Sequence, residues 1–140
     1  MSLLRKLAVP AIGLALACCG SESVDGEYKV KVTETRYDLN RDVVLEQDDY
    51  AIVDVITLGS ESEVRIDFIK PHDYGRDKST GKIGDSWEEI FMLWQLQWDS
   101  TGKVADGKLE MDMSYDAYDV TNGEFSGGSM FRLDGEKRYK

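Results

Sequence analysis

The chain has 140 residues, enough for one domain with a hydrophobic core. Hydrophobic residues make up 41% and charged residues 31% of it, a composition that excludes a disordered chain. The formal net charge of −10 repels nucleic acid, so we expect no nucleic-acid partner, and it favours basic partners or cations.

The first 17 residues have the three-part pattern of a secretory signal peptide. Arg5 and Lys6 give the start a positive charge, and residues 7–17 are eleven apolar residues without a charge. Such a run is too short to cross a hydrocarbon layer of ~30 Å as a helix, which needs about 20 residues. We therefore predict that residues 1–17 are a cleaved signal peptide.

The signal runs directly into the two cysteines of the chain. Leu14-Ala15-Leu16-Ala17-Cys18 resembles the lipobox of bacterial lipoproteins, with Ala immediately before the cysteine. The resemblance implies that Cys18 carries a diacylglycerol and becomes the new N-terminus. Cys19 is the alternative, although Cys18 before it departs from the usual small residue. The resemblance also implies a place in the cell envelope, at the outer membrane facing the periplasm if the organism has two membranes.

Other roles for Cys18 and Cys19 fit less well. A disulfide between neighbours is strained, a metal site needs more soft ligands than one His supplies, and no Cys-x-x-Cys pair is present. Cleavage removes Arg5 and Lys6 but no acidic residue, so the formal charge falls from −10 to −12. Residues 18–26, small and polar after the cysteines, are predicted to be the lipidated cysteine and a flexible tether, and residues 27–140 the folded domain.

From Gly26 onward apolar and polar residues alternate with a period of two, which is typical of strands with one buried face. The predicted inward-facing residues of the three clearest runs are Tyr28, Val30, Val32, Val64, Ile66, Phe68, Leu109, Met111, Met113 and Tyr115. Residues 50–59, "YAIVDVITLG", are apolar on both faces except at Asp54, which indicates a central or doubly covered strand.

Turn-forming sequences separate these runs, and no segment has a convincing helical period. The predicted turns lie at Gly59-Ser60-Glu61-Ser62, Thr101-Gly102, Asp106-Gly107, Asn122-Gly123 and Asp134-Gly135. Six to eight antiparallel strands joined by short turns predict an all-β domain. It is either a single up-and-down barrel, lipocalin-like, or a small β-sandwich.

Residues 86–98 are predicted to continue as one strand with a strongly apolar face. Met92, Trp94 and Trp98 share this face with Ile90 and Leu96, opposite Gln95 and Gln97. We expect both tryptophans to be buried inside the barrel. Together with Met92 and with Met111 from a neighbouring strand, they either fill the core or line a cavity for a small apolar ligand.

A possible calcium loop lies in "DLNRDVVLEQDD". Asp38, Asn40 and Asp42 occupy alternate positions, and Asp49 follows eleven residues after Asp38, so the spacing resembles that of an EF-hand loop. Val43 replaces the glycine that the sharp turn of such a loop requires, and neither flank is helical. The alternative is a polar turn in which Asp38 and Asn40 cap the backbone.

The single histidine, His72, lies in the long polar stretch 71–86 and could act as a general base oriented by Asp73. No nucleophile in an activating motif accompanies it, so we expect the domain to bind rather than to catalyse. The partner is then either a small apolar ligand or a basic protein. In the second case an inhibitor or immunity protein docks a basic envelope enzyme through its acidic surface.

We predict that Cys18→Ser abolishes membrane anchoring, because no other hydrophobic anchor follows Ala17 in the cleaved chain. Fractionation should find the variant either as uncleaved precursor or as soluble protein, and mass spectrometry of the wild type should show an acylated Cys18. An unmodified Cys18 in membrane-extracted protein would contradict the prediction, and lipid on Cys19 alone would move the site by one residue.

Overall fold

The structure is a computed structural model that describes residues 23–138 of the chain, and it confirms the all-β class. Eight strands follow one another in sequence. They are β1 (Gly26–Tyr37), β2 (Val43–Leu58), β3 (Ser60–Phe68), β4 (Lys70–Gly75), β5 (Lys82–Phe91), β6 (Trp94–Ala105), β7 (Lys108–Asp119) and β8 (Phe125–Lys137). Residues 23–138 contain no helix with the length and hydropathy that a membrane-spanning helix requires.

All neighbouring strands are antiparallel, and their order in the sheet is β4-β3-β2-β1-β8-β7-β6-β5. The first strand pairs with the last, from Tyr28 opposite Lys137 to Tyr37 opposite Gly128. The two edges of the sheet are therefore β4 and β5, which are consecutive in the chain. One isolated bridge, between Arg76 and Ile83, joins these edges, so the sheet is an up-and-down barrel that is nearly closed.

The alternation of strand direction places the turns at two opposite ends. The β1–β2, β3–β4, β5–β6 and β7–β8 turns lie at one end, called the far end below. The other turns lie at the base, where the chain enters β1 and leaves β8. The N-terminal segment therefore approaches the barrel from the base.

The core fills the base half of the barrel, and the predicted faces of β1, β3 and β7 are the buried ones. The residues with less than one tenth of their surface exposed include Val24, Tyr28, Val30, Val32, Val53, Val55, Val64, Ile66, Tyr74, Ile83, Trp98, Val104, Leu109, Met111, Met113 and Leu133. Phe68 and Tyr115 are partly buried against this cluster.

The folded domain begins earlier than predicted. Val24 lies in the core, and its carbonyl accepts a hydrogen bond of 2.8 Å from the Tyr28 hydroxyl. The Asp25 carboxylate accepts a hydrogen bond from the Thr57 amide at 2.5 Å. Residues 24–26 therefore belong to the barrel rather than to the flexible tether, because an apolar side chain and two hydrogen bonds fix them.

Strand β2 is covered on one face only. Val53 and Val55 point into the core, but Tyr50, Ile52 and Ile56 on the opposite face are 66%, 47% and 49% exposed. Of the two predicted alternatives, the doubly covered strand is therefore wrong, since no second layer packs on the outside of this barrel within residues 23–138. The other is confirmed, because β2 is a central strand between β1 and β3.

Two predicted turns lie within strands instead. Gly102 is in β6 and Gly135 is in β8, where an added Cβ would lie 2.3 Å from the Glu110 carbonyl oxygen and 2.0 Å from that of Lys29. These glycines allow neighbouring backbones to approach closely where the sheet bends. Asp106-Gly107 is a true turn, with both residues at positive φ (56° and 74°).

Residues 86–98 form a hairpin rather than one strand. The chain reverses at Met92 and Leu93, and Met92 adopts a positive φ of 57°. On β6, Trp98 is buried as expected, but Trp94 is 38% exposed because it directly follows the turn, so the prediction that both tryptophans are buried is wrong for Trp94. Ile90 on β5 lies on the outer face. Met92 is 74% exposed in the turn, so it does not line the interior.

Trp98→Ala should destabilise the domain by about 3–5 kcal/mol, because the large gap left in the core cannot collapse fully. Trp98→Phe should cost less, since it keeps a ring in the core and removes an indole N–H that has no hydrogen-bond partner among the described residues. Gln97→Ala, on the outer face, should change stability by less than about 0.5 kcal/mol. Urea unfolding of the three variants measures these differences, and equal stability of Trp98→Ala and wild type would show that the interior is open.

Candidate functional site

A layer of aromatic side chains crosses the barrel at the side of the core nearest the far end. Phe68, Phe131, Tyr115, Trp98, Trp87 and His72 each contact the next in this order, with ring centroids 3.5–6.5 Å apart. They come from six different strands and all face inward. Offset and edge-to-face pairs of this kind add to the stability that burial provides. The layer therefore fills the interior of the barrel at mid-height.

The four residues proposed to line an apolar cavity do not form one site. Trp98 is 6% exposed between Trp87, stacked at 5.6 Å, and Tyr115 at 4.9 Å. Met111 is fully buried in the core below, whereas Trp94 is 38% exposed at the far end and Met92 lies in a turn. The packed interior around Trp98 supports the filled-core alternative.

His72 holds the seam between the two edge strands. Its ring stacks on Trp87 at 3.5 Å with an interplanar angle of 14°, and its Nε2 lies 2.8 Å from Asp85 Oδ2. A further ion pair joins Lys70 of β4 to Glu89 of β5. Side-chain contacts thus join β4 to β5 above the single backbone bridge.

The predicted pairing of His72 with Asp73 is not observed, because adjacent residues of a strand point to opposite faces. Asp73 lies on the outer face and forms two hydrogen bonds with Arg65, at 2.7 and 3.2 Å. The bond from Arg65 lowers the pKa of the Asp73 carboxyl. The histidine instead contacts Asp85 and two other aromatic rings, which is a packing role.

The four candidate calcium ligands are not brought together. Asp38 Oδ1 caps its own turn by accepting hydrogen bonds from the amides of Asn40 and Asp42, at 2.9 and 3.0 Å. Asp49 lies on β2 opposite Val32, five residues along β1 from Tyr37, which corresponds to about 16 Å of strand. Across residues 23–138 no three His, Cys, Asp or Glu side chains form a group that could hold a metal ion.

Three of the hairpins at the far end expose large apolar side chains, which we call the apolar rim. All are between 38% and 74% exposed, and all lie in or beside hairpin turns. The residues of the apolar rim are Leu39, Val43, Val44, Ile90, Phe91, Met92, Leu93, Trp94 and Val120.

Contacts between turns make the apolar rim one surface. The Val120 amide donates a hydrogen bond of 3.0 Å to the Leu93 carbonyl, which joins the β7–β8 turn to the β5–β6 turn. On the other side, the Arg41 guanidinium lies 4.1 Å from the centroid of the Phe125 ring and joins the β1–β2 turn to β8. Three hairpin tips therefore form a single patch.

Tyr37 anchors the patch to the barrel below. Its hydroxyl donates to Asp116 Oδ1 at 2.7 Å, and its ring stacks on Phe125 at 6.3 Å. Burial, followed by the hydrogen bond to Asp116, raises the pKa of the Tyr37 hydroxyl. The hydroxyl therefore remains a neutral donor throughout the physiological pH range.

A groove of about 1140 Å³ lies at the base, beside Ser23 where the described chain begins. Lys78, Lys82 and Lys103 line it, together with backbone and side chains of the β4–β5 and β6–β7 turns. Cys18 and Cys19, the predicted lipidation sites, lie outside the described residues.

Comparisons with known proteins give no family for the chain. It matches no family model, and neither curated proteins nor solved structures provided a match.

Sequence reasoning did not find the apolar rim, although one signal for it was present. Phe91-Met92-Leu93-Trp94 is a run of four apolar residues in which the alternation of the strands stops. Because apolar residues recur at every second position from Ile90 to Trp98, through this run, the sequence predicts one continuous strand there. An apolar run that breaks alternation between two amphipathic strands can equally be an exposed hairpin tip.

His72→Ala should weaken the seam between β4 and β5, because it removes the stack on Trp87 and the contact with Asp85. We expect a lower melting temperature and a red shift of tryptophan emission as water reaches Trp87. Asp73→Ala is the matched control, since it removes only an exposed ion pair with Arg65 and should leave both properties near those of wild type. If both variants behave alike, His72 does not hold the seam.

Proposed function

We propose that the protein is a lipid-anchored envelope protein whose barrel binds a partner protein through the apolar rim. The observation that carries this proposal is the exposure of nine large apolar side chains on one end of the barrel. Hairpin turns are normally polar, and contiguous exposed apolar patches are characteristic of interaction surfaces. Burial of one such side chain at an interface contributes about 1.5–3 kcal/mol.

Charge around the apolar rim favours a protein partner over a lipid surface. Asp38, Asp42, Asp119 and Glu124 lie in the same turns, with Arg41 as the basic residue among them. Anionic headgroups are repelled by such a border and by the net charge of −10. A partner with an apolar patch and a basic margin fits the border, and a basic envelope enzyme, for which this protein acts as inhibitor or immunity protein, is one such partner.

The position of the apolar rim agrees with anchoring through Cys18. The described chain enters the barrel at the base, so a lipid on Cys18 places the base nearest the membrane. The six residues 18–23 span at most about 20 Å. The apolar rim then faces away from the membrane, where a soluble or membrane-bound partner can reach it.

A small apolar ligand inside the barrel has less support. The core and the aromatic layer fill the base half and the middle of the barrel, and Trp98 is 6% exposed. The proposal of a protein partner therefore depends on the outside of the far end rather than on the interior.

Photo-crosslinking in the native organism tests the proposal. A photoreactive amino acid replaces Leu93, 63% exposed in the apolar rim, or Ile56, 49% exposed on the outer face near the base. We expect a protein adduct from position 93 and none from position 56, and Met92→Ser should reduce its yield because the contact area is smaller. Adducts with lipid alone at position 93, or no adduct there, would contradict a protein partner.

A further inference from the structure

Strand β2 has a long free edge. It runs from Val43 to Leu58, but β3 pairs with it only between Asp54 and Leu58. On that side, the 11 residues Val43–Val53 have no neighbouring strand among the residues that the structure describes. A row of unpaired N–H and C=O groups of this kind is a template for the addition of another strand.

Three contacts establish which backbone groups face the free edge. The Thr57 amide binds Asp25, just before β1, so the odd-numbered residues of β2 direct their N–H and C=O groups toward β1. In β1 the odd-numbered residues must then face β8. The Glu27 carbonyl does so, since it accepts a hydrogen bond from the Arg138 amide. The even-numbered residues of β2 therefore face the free edge, and the Tyr50 amide, accordingly, binds only its neighbour Asp49, at 2.8 Å.

The free edge thus presents the N–H and C=O groups of Glu46, Asp48, Tyr50 and Ile52. Their side chains lie on the outer face, where Tyr50 and Ile52 are 66% and 47% exposed. The Asp49 carboxylate caps one edge amide from the inner face. The edge therefore combines backbone groups that lack a neighbouring strand with apolar and acidic side chains.

The acidic side chains determine which strand can add. A second copy of this chain pairing antiparallel along the same edge would bring Glu46, Asp48 and Asp49 close to their own copies, and like charges across a sheet are destabilising. A strand with basic residues would instead face these carboxylates with opposite charge. The lysine already placed there, Lys31 on β1, lies 3.6 Å from Asp48.

We propose that the free edge of β2 binds an extended, basic segment of a partner protein by β-strand addition. The backbone of Glu46, Asp48, Tyr50 and Ile52 supplies the hydrogen bonds, and the carboxylates select positive charge. The site is separate from the apolar rim, although Val43 and Val44 adjoin both. The proposal depends on the pairing of β2 in the sheet and on the carboxylates at its edge, and it holds even if the apolar rim has no partner.

Amide hydrogen exchange of the full chain tests strand addition directly. The probes are a capped ten-residue peptide alternating lysine with valine and a matched peptide alternating glutamate with valine. The lysine peptide should slow exchange at Glu46, Asp48, Tyr50 and Ile52 by about tenfold or more and leave Gln47 and Ala51 unchanged. Uniform or absent protection overturns the proposal, and equal protection by the glutamate peptide overturns the selection for basic strands.

Tyr50→Pro and Tyr50→Ala separate the backbone from the side chain. The proline removes an N–H that faces the free edge and not the β1 ladder, so the barrel should remain folded while peptide binding is lost. The alanine keeps the N–H, and most of the affinity should remain. Equal binding by the two variants overturns the proposal, and the exchange pattern of the wild type decides it if the proline variant does not fold.

Met92→Ser in the apolar rim is the remaining control. It should not change peptide binding at the edge, although it should reduce crosslinking at position 93. In the protein with an unchanged Met92, peptide binding without a protein adduct at position 93 overturns the proposal for the apolar rim alone. A protein adduct at position 93 without peptide binding overturns the proposal for the free edge alone.

Discussion

The pairing of the first strand with the last determines the shape of this protein. Because β1 and β8 lie side by side in the middle of the sheet, its two edges are β4 and β5, which a short turn joins. If a sheet with this strand order were flat, its two edges would be far apart. Here the sheet curls until Arg76 meets Ile83, and the inner faces of all eight strands enclose one core. Two further features come from the strands themselves: their alternating direction places the turns of the apolar rim at one end, and β2 has a free edge because the shorter β3 pairs with only part of it.

Closure also explains the positions of glycine. At Gly128 an added Cβ would lie 2.1 Å from the Tyr115 carbonyl oxygen, as tight as the approaches at Gly102 and Gly135. A small barrel needs sharply coiled strands, and a side chain at these corners would push neighbouring strands apart. Large aromatic side chains fill the interior at mid-height. Glycines where backbones approach closely and bulky rings in the interior are therefore both needed to close this barrel.

Much of the fold could be predicted from the sequence because one period dominates it. Residues such as Val30, Val64 and Met111 are buried where alternation places them, since a strand has only two faces. Alternation does not show which strands pair. It also does not locate a turn that contains none of the usual turn-forming residues. The reversal at Met92 and the missing neighbour of Tyr50 therefore required the structure. The candidate calcium ligands lie apart for a related reason: Asp38 and Asp49 are near in sequence, but an extended strand separates them.

The free edge and the seam have a common consequence for how the protein opens. The β3–β4 hairpin is attached to the rest of the sheet by five residues of β2 on one side and by a single bridge plus side chains on the other. Cooperative units with few attachments detach first, at a cost below that of global unfolding. Detachment of this hairpin would leave a six-stranded open sheet and expose Val64, Ile66 and Tyr74. The rate at which proteases degrade the protein then depends on how firmly this one hairpin stays closed.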